Sequence, residues 1–189
     1  EVRRLLDRGT LFVAHFEDLD NLTGHTLVGG GVPNESRPGS GRWIHLSVNS
    51  VDVAPNGKAL KDSRRHVGAA LKDTRWNGMG GLATDYDVRR ALFTASAKIG
   101  IKELNRPEDL EWNANDLSGT PRLYAAFTGH TFGTQLDSEG RILADDVTFV
   151  RNDPYGAIFA IEEANTSDPS ASSTFDYFQV WKGTARPES

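Results

Sequence analysis

Short runs of apolar, aromatic and β-branched residues recur along the chain, and turn-forming residues bound each run. The pattern predicts strands at Leu11–Phe16, Arg42–Leu46, Arg122–Thr128, Ala157–Glu162 and Phe175–Trp181. The connection at 29–41, GGGVPNESRPGSG, is rich in Gly, Pro and Ser, which indicates a surface loop. The chain is therefore predicted to be mainly β, and a sandwich and a propeller fit this pattern equally well.

One region shows helical periodicity instead. Its apolar residues recur at helical spacing, namely at Val88, Leu92, Ala95 and Ile99. With Thr84 as the N-cap, we expect a helix over Asp85–Ile99, and a second helix is expected within Lys58–Lys72. Together these segments predict a helical insertion near residues 58–99 in a single domain that covers residues 1–189.

Composition narrows the classes of function. The chain has 189 residues, of which 38% are hydrophobic, and this is enough for one sizeable domain. It has no cysteine, which excludes a disulfide framework, a Cys-based zinc site and a catalytic thiol. No apolar run approaches the roughly 20 residues that a spanning helix needs, so we expect no membrane span.

Charge is distributed unevenly within the formal net charge of −5. Basic residues outnumber acidic ones from Lys58 to Lys102, whereas acidic residues prevail from Arg106 onward. Carboxylate-rich loops suit hard cations such as calcium, although a solvated acidic surface gives the same pattern. The basic segment lacks the dense Lys, Arg and aromatic residues of nucleic-acid-binding proteins, so we expect no nucleic-acid partner.

Residues 105–112, NRPEDLEW, concentrate the candidate chemistry. Pro107 fixes its own backbone and is expected to hold Arg106 extended, so that the acids which follow leave a defined bend. Glu108 and Glu111 could not share one face of a strand, but a loop entering a strand could direct both carboxylates at one cation. Calcium takes roughly six to eight oxygen ligands, so the segment predicts part of a metal site. The structural alternative is an ion pair between Arg106 and a carboxylate.

Histidine offers one further candidate. His130 follows Thr128 and Gly129 at the end of a predicted strand, where its side chain could contact a phosphate. A solvated loop histidine is the alternative. The chain has neither HExxH nor HxH spacing, so the sequence does not support a zinc hydrolase.

Several motifs follow one another in a fixed order: GTLFVAHF, GRWIHL, ATDYDVRRALFTASAKIG, LNRPEDLEW and LYAAFTGH. This order resembles the PhoX-type alkaline phosphatases, which are calcium-dependent β-propeller enzymes. In that family an Arg-Pro-Glu loop precedes a strand similar to LYAAFT and lies at the centre of the propeller. The resemblance covers most of Gly9–Thr184.

The resemblance implies that the chain is part of a six-bladed β-propeller, with about two to three blades present. It implies that Glu108 is a metal ligand that faces the central channel, with Glu111 as a weaker candidate. His130 is the candidate substrate-binding residue if the end of its strand lines the same channel. The implied metals are calcium and, in the phosphatases proper, iron beside the phosphate of a phosphomonoester substrate. A periplasmic or extracellular location is also implied.

The chain departs from the family at two motifs. It lacks the Gly-rich segment with a TPW core and a Glu-Glu pair, and it lacks the PDN loop. We therefore expect an internal fragment, inactive alone, whose ring is completed by the remaining blades or by another chain. The alternative function is a non-catalytic, calcium-stabilised propeller that serves as a binding or structural component of a larger assembly. A propeller lactonase or phytase-like esterase would share the architecture.

Overall fold

Most of the strand-forming residues assemble into one sheet. The computed structural model describes residues 9–20, 31–76, 80–104, 106–128, 132–133, 150–151, 155–168 and 171–184. The strands are β1 Phe12–Phe16, β2 Gly39–His45, β3 Pro107–Asn113, β4 Arg122–Phe127, β5 Phe132–Gly133, β6 Val150–Arg151, β7 Ala157–Glu163 and β8 Thr174–Lys182. The large sheet has the order β1-β2-β8-β7-β4-β3, and β5 pairs with β6. The mainly β prediction is confirmed, and the six-bladed ring stays a prediction.

The helices lie between β2 and β3, where helical periodicity was found. They are α1 Val67–Lys72, α2 Asp85–Arg90 and α3 Leu92–Lys98, with 3₁₀ turns at Pro55–Gly57 and Ser63–Arg65. Thr84 caps α2 as expected, because its hydroxyl accepts from the Asp87 backbone N–H and the Asp87 carboxylate accepts from the Thr84 N–H. No helix in the described part of the chain is long and apolar enough to cross a membrane.

Of the two predicted helices, the one over Asp85–Ile99 was too long, whereas a helix does lie within Lys58–Lys72. The helix expected over Asp85–Ile99 is broken at Ala91, whose φ of −130° and ψ of 45° lie outside the helical region. The flanking residues are good helix formers, so local propensity does not encode the break and tertiary packing overrides it. In the segment Lys58–Lys72, only the 3₁₀ turn Ser63–Arg65 and α1 are helical.

The chain divides into two compact units, of which the first comprises residues 1–14 and 43–101. Its core consists of apolar residues from β2, the loops and all three helices: Ile44, Leu46, Val48, Ala54, Val67, Leu71, Val88, Ala95 and Ile99. Asp85 connects α2 to the segment after β2, because its carboxylate accepts from Val48 N at 2.8 Å and from Ser47 Oγ at 3.1 Å. A negative side chain also favours the N-terminus of a helix.

The second unit comprises residues 15–42 and 102–189 and contains the antiparallel strands β7, β8, β4 and β3. Directly paired residues lie on the same face of this sheet, so the cross-strand register assigns each row of residues to one of two faces. We call the face that carries the ionic side chains the polar face, although Ala160 and Phe178 are buried on it as well. One row on the apolar face is Trp112, Leu123, Ile161 and Tyr177. The neighbouring row is polar and contains Asn113, Arg122, Glu162 and Asp176.

Candidate functional site

A bend at Arg106 opens strand β3. The φ of Arg106 is 50°, in the left-handed region, so the prediction of an extended Arg106 is wrong. Backbone hydrogen bonds on both sides fix this bend: Arg106 N donates to Leu104 O at 2.8 Å, and Thr128 N donates to Arg106 O at 3.1 Å. A residue other than glycine in this conformation is uncommon, and such residues cluster at functional sites.

Glu108 presents its carboxylate beside this bend. Its Oε1 lies 3.0 Å from Arg106 Nη2 and 3.5 Å from Thr128 Oγ1, and its side chain is 48% exposed. The pairing register of β3 and β4 shifts between Pro107 and Asp109, and a bulge at such a shift changes the direction of the side chain of the extra residue, here Glu108. The ion pair expected as the structural alternative is therefore present. A surface pair of this kind contributes only about 0.2–1 kcal/mol, so a stronger ligand can replace either partner.

Glu111 lies in the same strand, opposite Tyr124. The acids expected on a loop thus belong to β3, because Pro107–Asn113 pairs along the edge of β4. Alternation places Glu111 on the polar face together with Asp109 and Asn113. The structure does not bring Glu108 and Glu111 into a metal cluster: within the described residues, no group of three acidic or histidine side chains could hold a metal ion. His130 lies outside the described residues.

A buried ionic network on the polar face was not predicted from the sequence. We call it the Arg122 cluster. Arg122 is only 8% exposed, and its guanidinium lies 5.0 Å from the centre of the Phe178 ring. Arg122 Nε donates to Glu162 Oε1 at 2.7 Å, and Arg122 Nη2 donates to Glu35 Oε1 at 2.5 Å. Arg122 Nη1 lies 3.6 Å from Asp116 Oδ1.

Asp116 extends the Arg122 cluster into the turn between β3 and β4. Its carboxylate accepts from Tyr124 Oη at 2.6 Å, Ser118 N at 2.9 Å and Asn113 Nδ2 at 3.1 Å. The Tyr124 hydrogen bond, followed by that from Ser118, lowers the pKa of Asp116 to about 2. The same carboxylate raises the pKa of Tyr124.

Each nitrogen of the Arg122 guanidinium lies beside a carboxylate of the cluster. Burial acts to lower the pKa of Arg122, but hydrogen bonds with Glu35 and Glu162 outweigh burial and raise it. A guanidinium surrounded by carboxylates is a structural anchor rather than a ligand for phosphate. Alternation within RLYAAF could have placed Arg122 and Tyr124 on one face, but no sequence signal pointed to Glu35, which lies 87 residues away.

A family model describes nearly the whole chain. The model of alkaline phosphatase PhoX matches residues 1–187. No curated protein and no solved structure matches the chain. Because the match covers far more than half of the 189 residues, the chain belongs to the alkaline phosphatase PhoX family.

Proposed function

We propose that this chain contributes to a metal-dependent phosphomonoester hydrolase of the periplasm or the extracellular space. The family match supports an alkaline-phosphatase-like reaction. The observation that carries the site is the half-exposed Glu108 carboxylate on the fixed bend at Arg106. In this proposal a six-bladed propeller surrounds the site, and further blades or another chain complete the ring.

Calcium is the proposed metal, with iron as a second metal beside the substrate phosphate. Carboxylate oxygens are the donor type that calcium prefers, so Glu108 fits such a site by its chemistry. Glu108 and the weaker candidate Glu111 supply fewer than the roughly six to eight oxygens required, so other ligands must come from outside this pair. When bound, the metal would neutralise phosphoryl charge.

Arg106 has two roles in this proposal. Its guanidinium lies 3.0 Å from the Glu108 carboxylate and therefore limits the directions that this carboxylate can take. The arginine side chain is 58% exposed, and the planar arrangement of its N–H groups matches the oxygens of a phosphoryl group. The backbone bonds to Leu104 and Thr128 hold the bend before substrate arrives.

The test measures bound metal and p-nitrophenyl phosphate hydrolysis in the full-length protein, with and without chelator. We expect Glu108→Gln to lose both metal and activity, and Glu111→Gln to lose less of each. Glu103→Gln is the control, because it removes an exposed carboxylate from the preceding segment. Unchanged metal content and activity in Glu108→Gln would refute the site assignment.

Two further outcomes separate the alternatives. Chelator-sensitive metal binding without hydrolysis in the wild type would favour the non-catalytic, calcium-stabilised propeller. His130→Ala tests the proposed contact with phosphate, and we expect KM to rise while kcat changes little. An unchanged KM would contradict that contact.

A further inference from the structure

The first unit contains a cavity of about 390 Å³ between its 3₁₀ turns and helices. This volume is within the range of small-molecule sites in proteins. The lining residues that carry charge or an aromatic ring are Arg64, Lys72, Asp73, Arg75, Trp76 and Lys98. None of these residues takes part in the phosphatase site proposed above.

Lys98 is the unusual member of this lining. It is 1% exposed, and its Nζ donates to the backbone carbonyl of Asp73 at 2.7 Å. In the part of the chain that the structure describes, Lys98 forms no ion pair with a carboxylate. Desolvation lowers the pKa of Lys98, and the charge of Asp73 opposes this only in part. A buried ammonium with a neutral acceptor is costly, and an anion in the cavity would offset that cost.

The other charges of the cavity leave an excess of positive charge. Four lining side chains are basic and one is acidic. Asp73 already pairs with Arg75, since its Oδ1 lies 3.3 Å from Arg75 Nε. The Arg64 guanidinium pairs with Asp62 at 2.7 Å outside the lining. The one carboxylate of the lining, Asp73, therefore balances Lys98 only in part and is outnumbered by the basic side chains.

Trp76 gives the cavity an aromatic wall. Its ring centre lies 5.3 Å from Lys98 Nζ, so the ammonium and the ring border the same space. Leu60, Ala69 and Ala70 add apolar surface. A ligand that fits both surfaces carries an anionic group for Lys98 and a flat apolar group for Trp76.

We propose that this cavity binds a small aromatic oxyanion, with the anionic group accepting from Lys98 Nζ and the ring packed against Trp76. The shared chemistry covers aryl phosphates, phosphonates and carboxylates. Lys72 and Arg75, which are exposed at the cavity, attract the anion and contribute less to its affinity.

The experiment uses metal-free full-length protein and isothermal titration calorimetry with phenylphosphonate, which resists phosphatase cleavage. We expect phenylphosphonate to bind at least about tenfold more tightly than phenol, because hydrogen bonds to charged groups are strong. Benzoate tests whether the cavity binds carboxylates as well as phosphonates. If either anion binds no more tightly than phenol, its chemical class is excluded as a ligand. Failure of both anions to exceed phenol would overturn the proposal.

Variants locate the binding. Lys98→Met should weaken phenylphosphonate binding by about tenfold or more, whereas Lys61→Met, which removes an exposed lysine outside the lining, should leave it unchanged. Trp76→Leu should weaken phenylphosphonate but not methylphosphonate. Wild-type affinity in folded Lys98→Met would refute the site.

Two more variants keep the test decisive. If Lys98→Met does not fold, the double variant Lys72→Met/Arg75→Met replaces it, because both side chains are exposed. Binding must weaken in that variant, and wild-type affinity would overturn the proposal. Glu108→Gln must retain binding, because loss there would assign the phosphonate to the phosphatase site instead.

Discussion

Replacing Arg122 by methionine removes one buried positive charge and keeps most of the aliphatic side chain. In the native protein this charge lies 8% exposed between Glu35, Glu162 and Asp116 and above the Phe178 ring. Methionine can still pack on Phe178, so the change mainly tests the ionic contacts. Breaking a buried pair leaves its partner uncompensated, and this is usually costly.

The contacts give the magnitude. The hydrogen bond to Glu162, whose side chain is 27% exposed, contributes about 1.5–3 kcal/mol because both groups are charged. The contact with Phe178 adds about 0.5–2 kcal/mol. Glu35 is 66% exposed, so its pair adds at most about 1 kcal/mol. We expect the free energy of unfolding to fall by about 3 kcal/mol, which lowers Tm by about 6–12 °C for a chain of this size.

The assay is urea unfolding followed by tryptophan fluorescence and circular dichroism, combined with thermal unfolding. A double-mutant cycle of Arg122→Met and Glu162→Gln isolates the pair, and we expect a coupling energy above about 1 kcal/mol. Glu35→Gln is the matched control for an exposed partner and should change Tm by less than about 4 °C. A loss in Arg122→Met no larger than that of Glu35→Gln would refute the reasoning.

Two further predictions concern the same unit. The pKa of Asp116 is about 2 in the folded protein and about 3.9 when unfolded, so its stabilisation is present above pH 4 and is lost as the pH falls through 2. Between pH 5 and pH 2, urea unfolding should therefore show a steeper loss of stability in the wild type than in Asp116→Asn, and parallel losses would contradict this origin. Gly41→Ala should cost about 1–3 kcal/mol because the added Cβ would overlap the Phe175 ring. Within the part of the chain that the structure describes, no atom lies within 4 Å of a Cβ added at Gly80, so Gly80→Ala should be neutral in the same unfolding assay.

Apolar patterning identified the strands that carry aromatic and β-branched residues. The predicted strand Arg122–Thr128 corresponds to β4, and Phe175–Trp181 lies within β8. Strand β3 was missed because PEDLEWN has little β-propensity, and it becomes a strand by pairing with the edge of β4. Residues 109–113 do alternate between polar and apolar types, but the run is short and contains only two apolar residues.

The glycine-rich segment at 29–41 was interpreted as a loop, and this was wrong at its end. Residues Gly39–Gly41 belong to β2, where Gly39 pairs with Tyr177 and Gly41 with Phe175. A Cβ at either glycine would overlap the facing ring, so glycine is required by packing rather than by a turn. Only the fold brings these residues, more than a hundred positions apart in the chain, into contact.

The candidate site was predictable to the extent that its chemistry is local. The pair of Arg106 and Glu108 lies within three consecutive residues, so sequence alone could propose it as the structural alternative. The left-handed bend depends on backbone bonds that include Thr128, which the sequence does not reveal. The Arg122 cluster depends on Glu35 and Glu162, which distant segments supply.

Two arginines lie at opposite ends of the β3–β4 hairpin, where Arg122 stabilises the fold and Arg106 belongs to the candidate site. Arg122 pairs with Asn113 beside the turn, whereas Arg106 and Thr128 lie at the open end, beyond the pairing of Pro107 with Phe127. The five residue steps of β4 separate these ends by about 17 Å. Arg122 is surrounded by carboxylates, while Arg106 is 58% exposed, so of these two guanidinium groups only Arg106 is positioned to meet a ligand. Arg122→Met should therefore lower stability without lowering metal content per folded molecule. Glu108→Gln should lower metal content without lowering stability.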